Sequence, residues 1–276
     1  MPELPEVETT RRGITPKTDQ QTISEFIVRN QNLRWPVDTT LCQQLAGQKI
    51  LSIGRRGKYL LLETAIGTLM IHLGMSGTLR VVPHKTAVQK HDHVDLVLAN
   101  GFSLRLNDPR RFGSVLWHPI EQGDILENHK LLSKLGPEPL SDAFNGDYLY
   151  EKSRNRKMAI KSFVMNSNIV VGAGNIYANE SLFMTGIHPE KPAGKLNKKQ
   201  AKELADNIKT VIAAAIEQGG TTLKDFLSPD GKPGYFVQKL NVYDQAGKAC
   251  KNCSTPIEKK VLNQRAAYFC PSCQKK

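Results

Sequence analysis

The sequence predicts a multidomain α+β protein with an N-terminal β-sandwich, flanking helices, a helical middle domain and a small C-terminal unit held by metal. Apolar residues alternate with polar ones through much of residues 22–118, whereas helical spacing dominates after residue 140. Four cysteines, in two Cys-x2-Cys pairs, lie within residues 240–276. We therefore expect domains at residues 1–134, 135–239 and 240–276, with a proline-punctuated linker starting at Leu135.

The first domain is expected to begin with a short helix over residues 5–13, started by Pro5 and ended by Gly13. Alternation then predicts strands at residues 23–29, 49–53, 58–63, 68–73, 93–98 and 102–106. Asn100 and Gly101 form a hairpin-turn signal between the last two strands. Many short strands with glycine-rich turns favour an antiparallel sandwich or barrel.

The middle domain is expected to contain helices at about residues 153–165 and 176–185, followed by a longer helix capped by Asn197 and ending at Gly219. The apolar stripe of the longer helix comprises Leu204, Ile208, Val211, Ile212 and Ala215. Residues 172–175, Gly-Ala-Gly-Asn, form either a tight turn between two helices or a loop whose backbone N–H groups face a phosphate.

The charge balance predicts an anionic partner. The chain of 276 residues has 38 Lys and Arg against 26 Asp and Glu, a net charge of +12. The excess is clustered, since residues 152–161 contain five basic residues and no acidic one. Nucleic acid is the leading candidate, because phosphate neutralisation supplies most non-specific affinity. No apolar run reaches membrane-spanning length and the start does not resemble a secretory signal, so a cytoplasmic location is expected.

The C-terminal cysteines predict one structural zinc site. Cys250, Cys253, Cys270 and Cys273 offer four thiolates at a spacing typical of tetrahedral Zn²⁺. A unit of this size buries too little core to fold alone, so metal binding would supply its folding energy. Two disulfides are the weaker alternative, since they are rare in reducing compartments.

The N-terminus offers a candidate nucleophile. Removal of Met1 would expose Pro2 as a secondary amine, and an α-amine is partly unprotonated at neutral pH. Such an amine attacking an aldehyde-like carbon forms a cationic iminium, an electron sink, and Glu3 and Glu6 could move protons beside it. The alternative is that this segment only starts a helix.

Four further positions allow two interpretations each. Lys58 and Arg265 are either solvated turn residues or phosphate contacts. Met75 and Phe112, on probable loops, either fill the core or form a wedge that enters a base stack, with Arg110 beside Phe112.

Together these motifs resemble the bacterial formamidopyrimidine-DNA glycosylases, and the resemblance covers the whole chain. The segments that carry it are residues 2–8, Lys58, residues 72–75, 108–112 and 172–177, and the four-cysteine unit with Gln264-Arg265. The resemblance implies a β-sandwich, a helix–two-turn–helix domain and a zinc finger, with DNA in the cleft between two lobes. It also implies a monomer that excises 8-oxoguanine and formamidopyrimidines and then cleaves the strand at the abasic site.

The resemblance implies specific roles. Pro2 would form a Schiff base at C1′, with Glu3 as its acid–base partner and Glu6 in support. Lys58 would donate a proton in β-elimination, and Arg265 would contact phosphate and act in δ-elimination. The implied DNA contacts are His72, Met75, His91, Arg110, Phe112, Arg156, Lys161 and Asn175, and residues 221–235 correspond to a lesion-binding loop.

Two alternatives remain at this point. One is a relative on the same scaffold that acts on oxidised pyrimidines, like endonuclease VIII, although Leu4 and Val7 favour the purine enzymes. The other is a non-catalytic, zinc-dependent nucleic-acid binder in which Pro2 is never freed.

Overall fold

The computed structural model describes residues 2–220 and 240–275. The described chain divides into two compact units, one comprising residues 2–134 and 218–220 and the other residues 135–217 and 240–275. The expected lesion-binding loop, residues 221–235, lies outside the described residues. Within the described ranges, no helix combines the length and apolarity that a membrane crossing requires.

The first unit contains a β-sandwich, as expected. Its helices are α1 (Leu4–Thr18), α2 (Leu41–Gln44) and α3 (Ile125–Asn128). Its strands are β1 (Ile23–Val28), β2 (Ser52–Arg56), β3 (Tyr59–Thr64), β4 (Gly67–His72), β5 (Thr78–Pro83), β6 (Asp92–Leu98), β7 (Phe102–Asn107) and β8 (Ser114–Pro119). They form two antiparallel four-stranded sheets, ordered β1-β6-β7-β5 and β2-β3-β4-β8. Leu60 and Leu62 of one sheet and Leu96 and Leu104 of the other belong to one buried apolar core.

Several boundaries differ from those expected. Helix α1 continues through Gly13 to Thr18, because Ile14 and Thr18 are fully buried and tertiary packing outweighs the glycine signal. The strand expected at residues 49–53 begins at Ser52, while Lys49 makes only an isolated bridge to Thr22. Strands β5 and β8 were not expected from the alternation, and each pairs along the edge of a sheet.

The second unit is helical and carries a two-stranded hairpin. Its elements are α4 (Gly146–Ser153), α5 (Ile160–Val164), α6 (Asn175–Met184), α7 (Lys198–Glu217), β9 (Glu258–Leu262) and β10 (Arg265–Phe269). The prediction of a single helix over residues 153–165 is wrong. Helix α4 ends at Ser153, Asn155 adopts a left-handed conformation (φ 58°), and α5 begins at Ile160. The Asn197 cap is confirmed, because its Oδ1 accepts the Gln200 N–H at 2.8 Å, and the predicted stripe of α7 is buried.

Candidate functional site

The N-terminal residues are held in place by the start of α1. Pro2 is buried, and Glu3 and Glu6 are 2% and 1% exposed. The Glu6 carboxylate accepts the Glu3 backbone N–H at 2.7 Å, one half of a capping box. Gly220, with φ 81°, lies so close that a Cβ there would come within 3.1 Å of Glu6 Oε1. These contacts fix the backbone that follows Pro2.

Helix α1 is tied to the turn that carries Lys58 through a buried carboxylate. Glu8 is bonded to Arg11 and Arg12 of its own helix and, at 3.1 Å, to Arg55 of β2. Arg55 in turn donates to the carbonyl oxygen of Gly57, directly before Lys58. Burial raises the pKa of Glu8, but the hydrogen bonds from its three arginines outweigh burial and hold that pKa at about 2. Glu8 is therefore ionised at neutral pH.

His72 lies at the end of β4, opposite Tyr59 of β3. Their rings are 4.8 Å apart, and His72 Nδ1 accepts the Gly74 N–H at 3.0 Å. Burial, together with the nearby charges of Lys58 and Arg34, lowers the pKa of His72 to about 4. The ring is consequently neutral at physiological pH, and its remaining Nε2–H is a hydrogen-bond donor.

Two loops of the first unit present the residues expected to form a wedge. Arg110 and Phe112 are exposed, Phe112 by 45%, and the Arg110 guanidinium lies 5.0 Å from the Phe112 ring centroid. Met75 is half-buried in the neighbouring loop. Core aromatic residues are normally buried, so an exposed phenylalanine ring with an arginine guanidinium stacked against it favours the wedge interpretation. His91 is half-buried, has φ 74° and lies edge-on to His93.

In the second unit, Arg265 begins β10 directly after a tight turn. Leu262 pairs with Arg265 across two left-handed residues, Asn263 and Gln264, and the Arg265 side chain is exposed. Asn263 Nδ2 donates to Ser162 Oγ at 2.8 Å. The hairpin turn is thus attached to α5.

Lys161 is buried, unlike the exposed residues that are predicted to contact DNA. It is 1% exposed, and its Nζ donates to the carbonyl oxygen of Ala266 at 2.9 Å. The next residue of α5, Ser162, accepts a hydrogen bond from Asn263 of the same hairpin. The contacts of Lys161 within the second unit therefore support the position of Arg265. Its contact with phosphate stays a prediction.

The two other predicted contacts of this unit lie on separate elements. Asn175 is the first residue of α6, and Asn179 Nδ2 donates to its carbonyl oxygen at 2.6 Å. Arg156 is exposed in the break between α4 and α5.

The four finger cysteines converge. Their Sγ atoms all lie within 4.8 Å of one another, and Cys253 Sγ is 3.4 Å from Cys270 and 3.5 Å from Cys273. Tetrahedral Zn–S bonds of about 2.3 Å require sulfur atoms about 3.8 Å apart, so the cluster fits one zinc ion. All four thiols are free of disulfides. Zinc with four thiolates has no open coordination position, so its contribution is structural.

Two buried acidic residues outside the predicted site hold neighbouring segments in place. Asp108, fully buried, accepts from Ser76 Oγ and from the Gly113 N–H. Glu180, 2% exposed, accepts the backbone N–H groups of residues 241–243. Asp before proline at a strand end is a turn signal that could have identified Asp108, whereas nothing local identifies Glu180.

Comparison with known proteins agrees with this geometry. Three family models match in order: the formamidopyrimidine-DNA glycosylase N-terminal domain over residues 1–115, its H2TH domain over 135–227, and a zinc finger found in FPG and IleRS over 247–276. The last match confirms the prediction of one structural zinc site at the four cysteines.

Whole-chain relatives support the same assignment. The formamidopyrimidine-DNA glycosylase of Hydrogenovibrio crunogenus is 62% identical over 275 residues, covering 100% of this chain and 97% of the relative. That of Magnetococcus marinus is 55% identical, with both chains fully covered. A Lactococcus lactis FPG mutant bound to DNA containing Fapy-dG superposes with a TM-score of 0.90 at 33% identity over both whole chains. The MutM protein of Thermus thermophilus does so at 0.87 and 37%, covering 100% and 99% of the two chains. The chain belongs to the formamidopyrimidine-DNA glycosylase family.

Proposed function

We propose that this protein is a bacterial base-excision repair enzyme that removes oxidised purines, chiefly 8-oxoguanine and formamidopyrimidines, from duplex DNA and then cleaves the strand. The observation that carries the proposal is the buried start of α1, where Pro2 is followed by two buried acidic residues, Glu3 and Glu6. A proline amine held beside carboxylates is suited to covalent catalysis on a sugar carbon.

The proposed reaction begins once Met1 has been removed. The Pro2 nitrogen attacks C1′ of the damaged nucleotide, the bond from C1′ to the base breaks, and the base leaves with a proton. Glu3 takes the proton that the Pro2 nitrogen loses and passes it to O4′ as the bond from C1′ to O4′ breaks, while the base draws its proton from solvent. The sugar ring opens, and a cationic iminium links enzyme and sugar. The iminium acidifies the C2′ hydrogen; removal of that proton expels the 3′ phosphate, and a second elimination expels the 5′ phosphate. Water then releases the sugar fragment and restores the amine.

Other side chains of the first unit support this chemistry. Glu6 holds the Glu3 backbone, as its 2.7 Å bond to the Glu3 N–H indicates. Lys58 donates a proton during β-elimination, and His72 offers a neutral N–H to a phosphate oxygen. Because His72 is uncharged, its contact with phosphate persists unchanged across the physiological pH range.

The phosphate and base contacts are divided between the two units. Arg265 follows the turn that Asn263 attaches to α5; it contacts a phosphate and acts in δ-elimination. Met75, Arg110 and Phe112 fill the space left by the extruded nucleotide, which repays part of the few kcal/mol that unstacking costs. The remaining proposed contacts with DNA are His91, Arg156, Lys161 and Asn175.

The partner and location follow from the same chemistry. Damaged duplex DNA is the proposed partner, in agreement with the net charge of +12. Relatives of known structure have been solved with DNA containing Fapy-dG and with DNA containing an abasic site. We propose a monomer that works in the bacterial cytoplasm and on the nucleoid.

The test is excision from matched duplexes that contain 8-oxoguanine opposite cytosine or thymine glycol opposite adenine. The proposal predicts faster release of 8-oxoguanine, with loss of base release in Glu3→Gln and strong slowing in Pro2→Gly, whose primary amine retains part of the activity. Faster release of thymine glycol would assign the chain to the pyrimidine-directed alternative. Tight binding with no cleavage of abasic DNA would assign it to the non-catalytic one.

A further inference from the structure

We propose that Asp108 is a positioning residue that locks the three DNA-facing segments of the first unit into one arrangement before DNA binds. This inference rests on the proposed function, because it assigns a purpose to the wedge residues Met75, Arg110 and Phe112. Asp108 is fully buried at the end of β7, directly before the loop that carries two of them.

The side chain of Asp108 joins the two wedge loops. Its Oδ1 accepts from Ser76 Oγ at 3.0 Å, next to Met75, and its Oδ2 accepts the Gly113 N–H at 2.7 Å, next to Phe112. Hydrogen bonds to a buried carboxylate are stronger than neutral ones and costly to lose. One carboxylate therefore fixes the separation of both loops.

The backbone of Asp108 joins the third segment. Its N–H donates to the His91 carbonyl at 3.0 Å, and its own carbonyl oxygen is 2.9 Å from His93 Nε2 and accepts the Arg111 N–H at 3.2 Å. Since a carbonyl oxygen only accepts, His93 carries its proton on Nε2 here. His91, a predicted DNA contact, is thereby tied to the same residue.

The loops also pack too closely to tolerate a loose arrangement. A Cβ at Gly74, where φ is 64°, would come within 2.4 Å of the Gly113 nitrogen, and a Cβ at Gly113 would come within 2.9 Å of Asp108 Oδ2. The two backbones touch only because both residues lack side chains. Movement of one loop must therefore displace the other.

The consequence concerns base extrusion rather than bond breaking. Insertion of the wedge into an intact base stack requires its side chains to be correctly placed at the same time, so that the damaged base is extruded. An abasic site has no base to extrude. A displacement of about 1 Å in a positioning element can cost up to a hundredfold in rate. Loss of the Asp108 contacts should therefore slow reactions on paired lesions selectively.

The experiment compares kcat/KM for Asp108→Asn on 8-oxoguanine paired with cytosine and on a preformed abasic site in the same duplex. The amide keeps the size of the carboxylate but presents an NH2 group to one of its two donors. We expect a loss of roughly 10- to 100-fold on the paired lesion and less than about threefold on the abasic site. Asp124→Asn, at an exposed helix cap of the same unit, is the matched control and should change neither.

Equal losses on the two substrates, or no loss on either, would overturn the inference. If Asp108→Asn does not fold, Ser76→Ala removes one of the two bonds and should show the same selectivity at smaller size. Failure of the proposed function is distinguishable, because wild-type protein would then not release 8-oxoguanine.

Discussion

Replacing Glu8 by glutamine removes the charge that joins α1 to β2 and, through Arg55, to the turn before Lys58. Lowering a carboxyl pKa from 4.5 to about 2 corresponds at most to about 3.4 kcal/mol, at 1.36 kcal/mol per pH unit. The Arg11 and Arg12 side chains are 30% and 58% exposed, so solvent screening reduces this value. We expect Glu8→Gln to lower the free energy of unfolding by about 1–2 kcal/mol at pH 7.

The pH dependence identifies the cause. Because the pKa of Glu8 is lower in the folded than in the unfolded protein, its stabilisation is complete above pH 4.5 and is lost as the pH falls toward 2. Urea unfolding of both proteins at pH 7, 4.5 and 3.5 should show a difference that shrinks at the lowest pH. Glu25→Gln, on the exposed face of β1, is the control and should change stability by less than about 0.5 kcal/mol. A Glu8→Gln difference that is absent at pH 7, or constant with pH, would refute the reasoning.

Three other predictions concern the site itself. Gly220→Ala should slow base release by about tenfold, because its methyl group would press on Glu6 from 3.1 Å at a backbone φ of 81° that alanine resists; unchanged base release kinetics would contradict this. His72, followed by NMR, should stay neutral from pH 8 down to pH 5 and protonate only near its pKa of about 4. Because the unfolded protein binds this proton near pH 6.5, the contribution of His72 to stability is lost as the pH falls from 6.5 toward 4. Protonation of folded His72 near pH 6.5 would show that burial does not lower its pKa. Metal analysis should find one zinc per chain, and chelation should unfold the finger and sharply weaken DNA binding, since zinc supplies most of the folding energy of such units; full DNA affinity without zinc would argue against a role for the Arg265 turn.

Local patterns predicted much of this protein because the physics behind them is local. Alternation identified six of the strands in the sandwich, the Cys-x2-Cys pairs identified the zinc site, and Asn197 was recognisable as a helix cap. Strand β5 was not predicted from the sequence: most of its residues are half-buried, and its Arg80 pairs with Asp92 at 2.8 Å, twelve residues along the chain. The Arg80 side chain keeps 24% of its surface exposed, and the buried acid with which it pairs is apparent only in the fold.

The supporting contacts of the site were not predictable for the same reason. Glu8 meets Arg55 across 47 residues and Asp108 meets Ser76 across 32. Sequence motifs identify residues that resemble catalytic and wedge positions, yet the residues that hold them in position are selected by three-dimensional contact alone. The break between α4 and α5 is a similar case, since the left-handed Asn155 interrupts an otherwise helical pattern.

The central claim is that the imino nitrogen of Pro2 becomes covalently bound to the damaged sugar. Borohydride reduction during reaction with DNA containing 8-oxoguanine, followed by protease digestion and mass spectrometry, locates the cross-link directly. We predict an intact mass lacking Met1 and a reduced adduct on the N-terminal proline peptide. An adduct on a lysine peptide, or base release with no trapped species, would contradict the account.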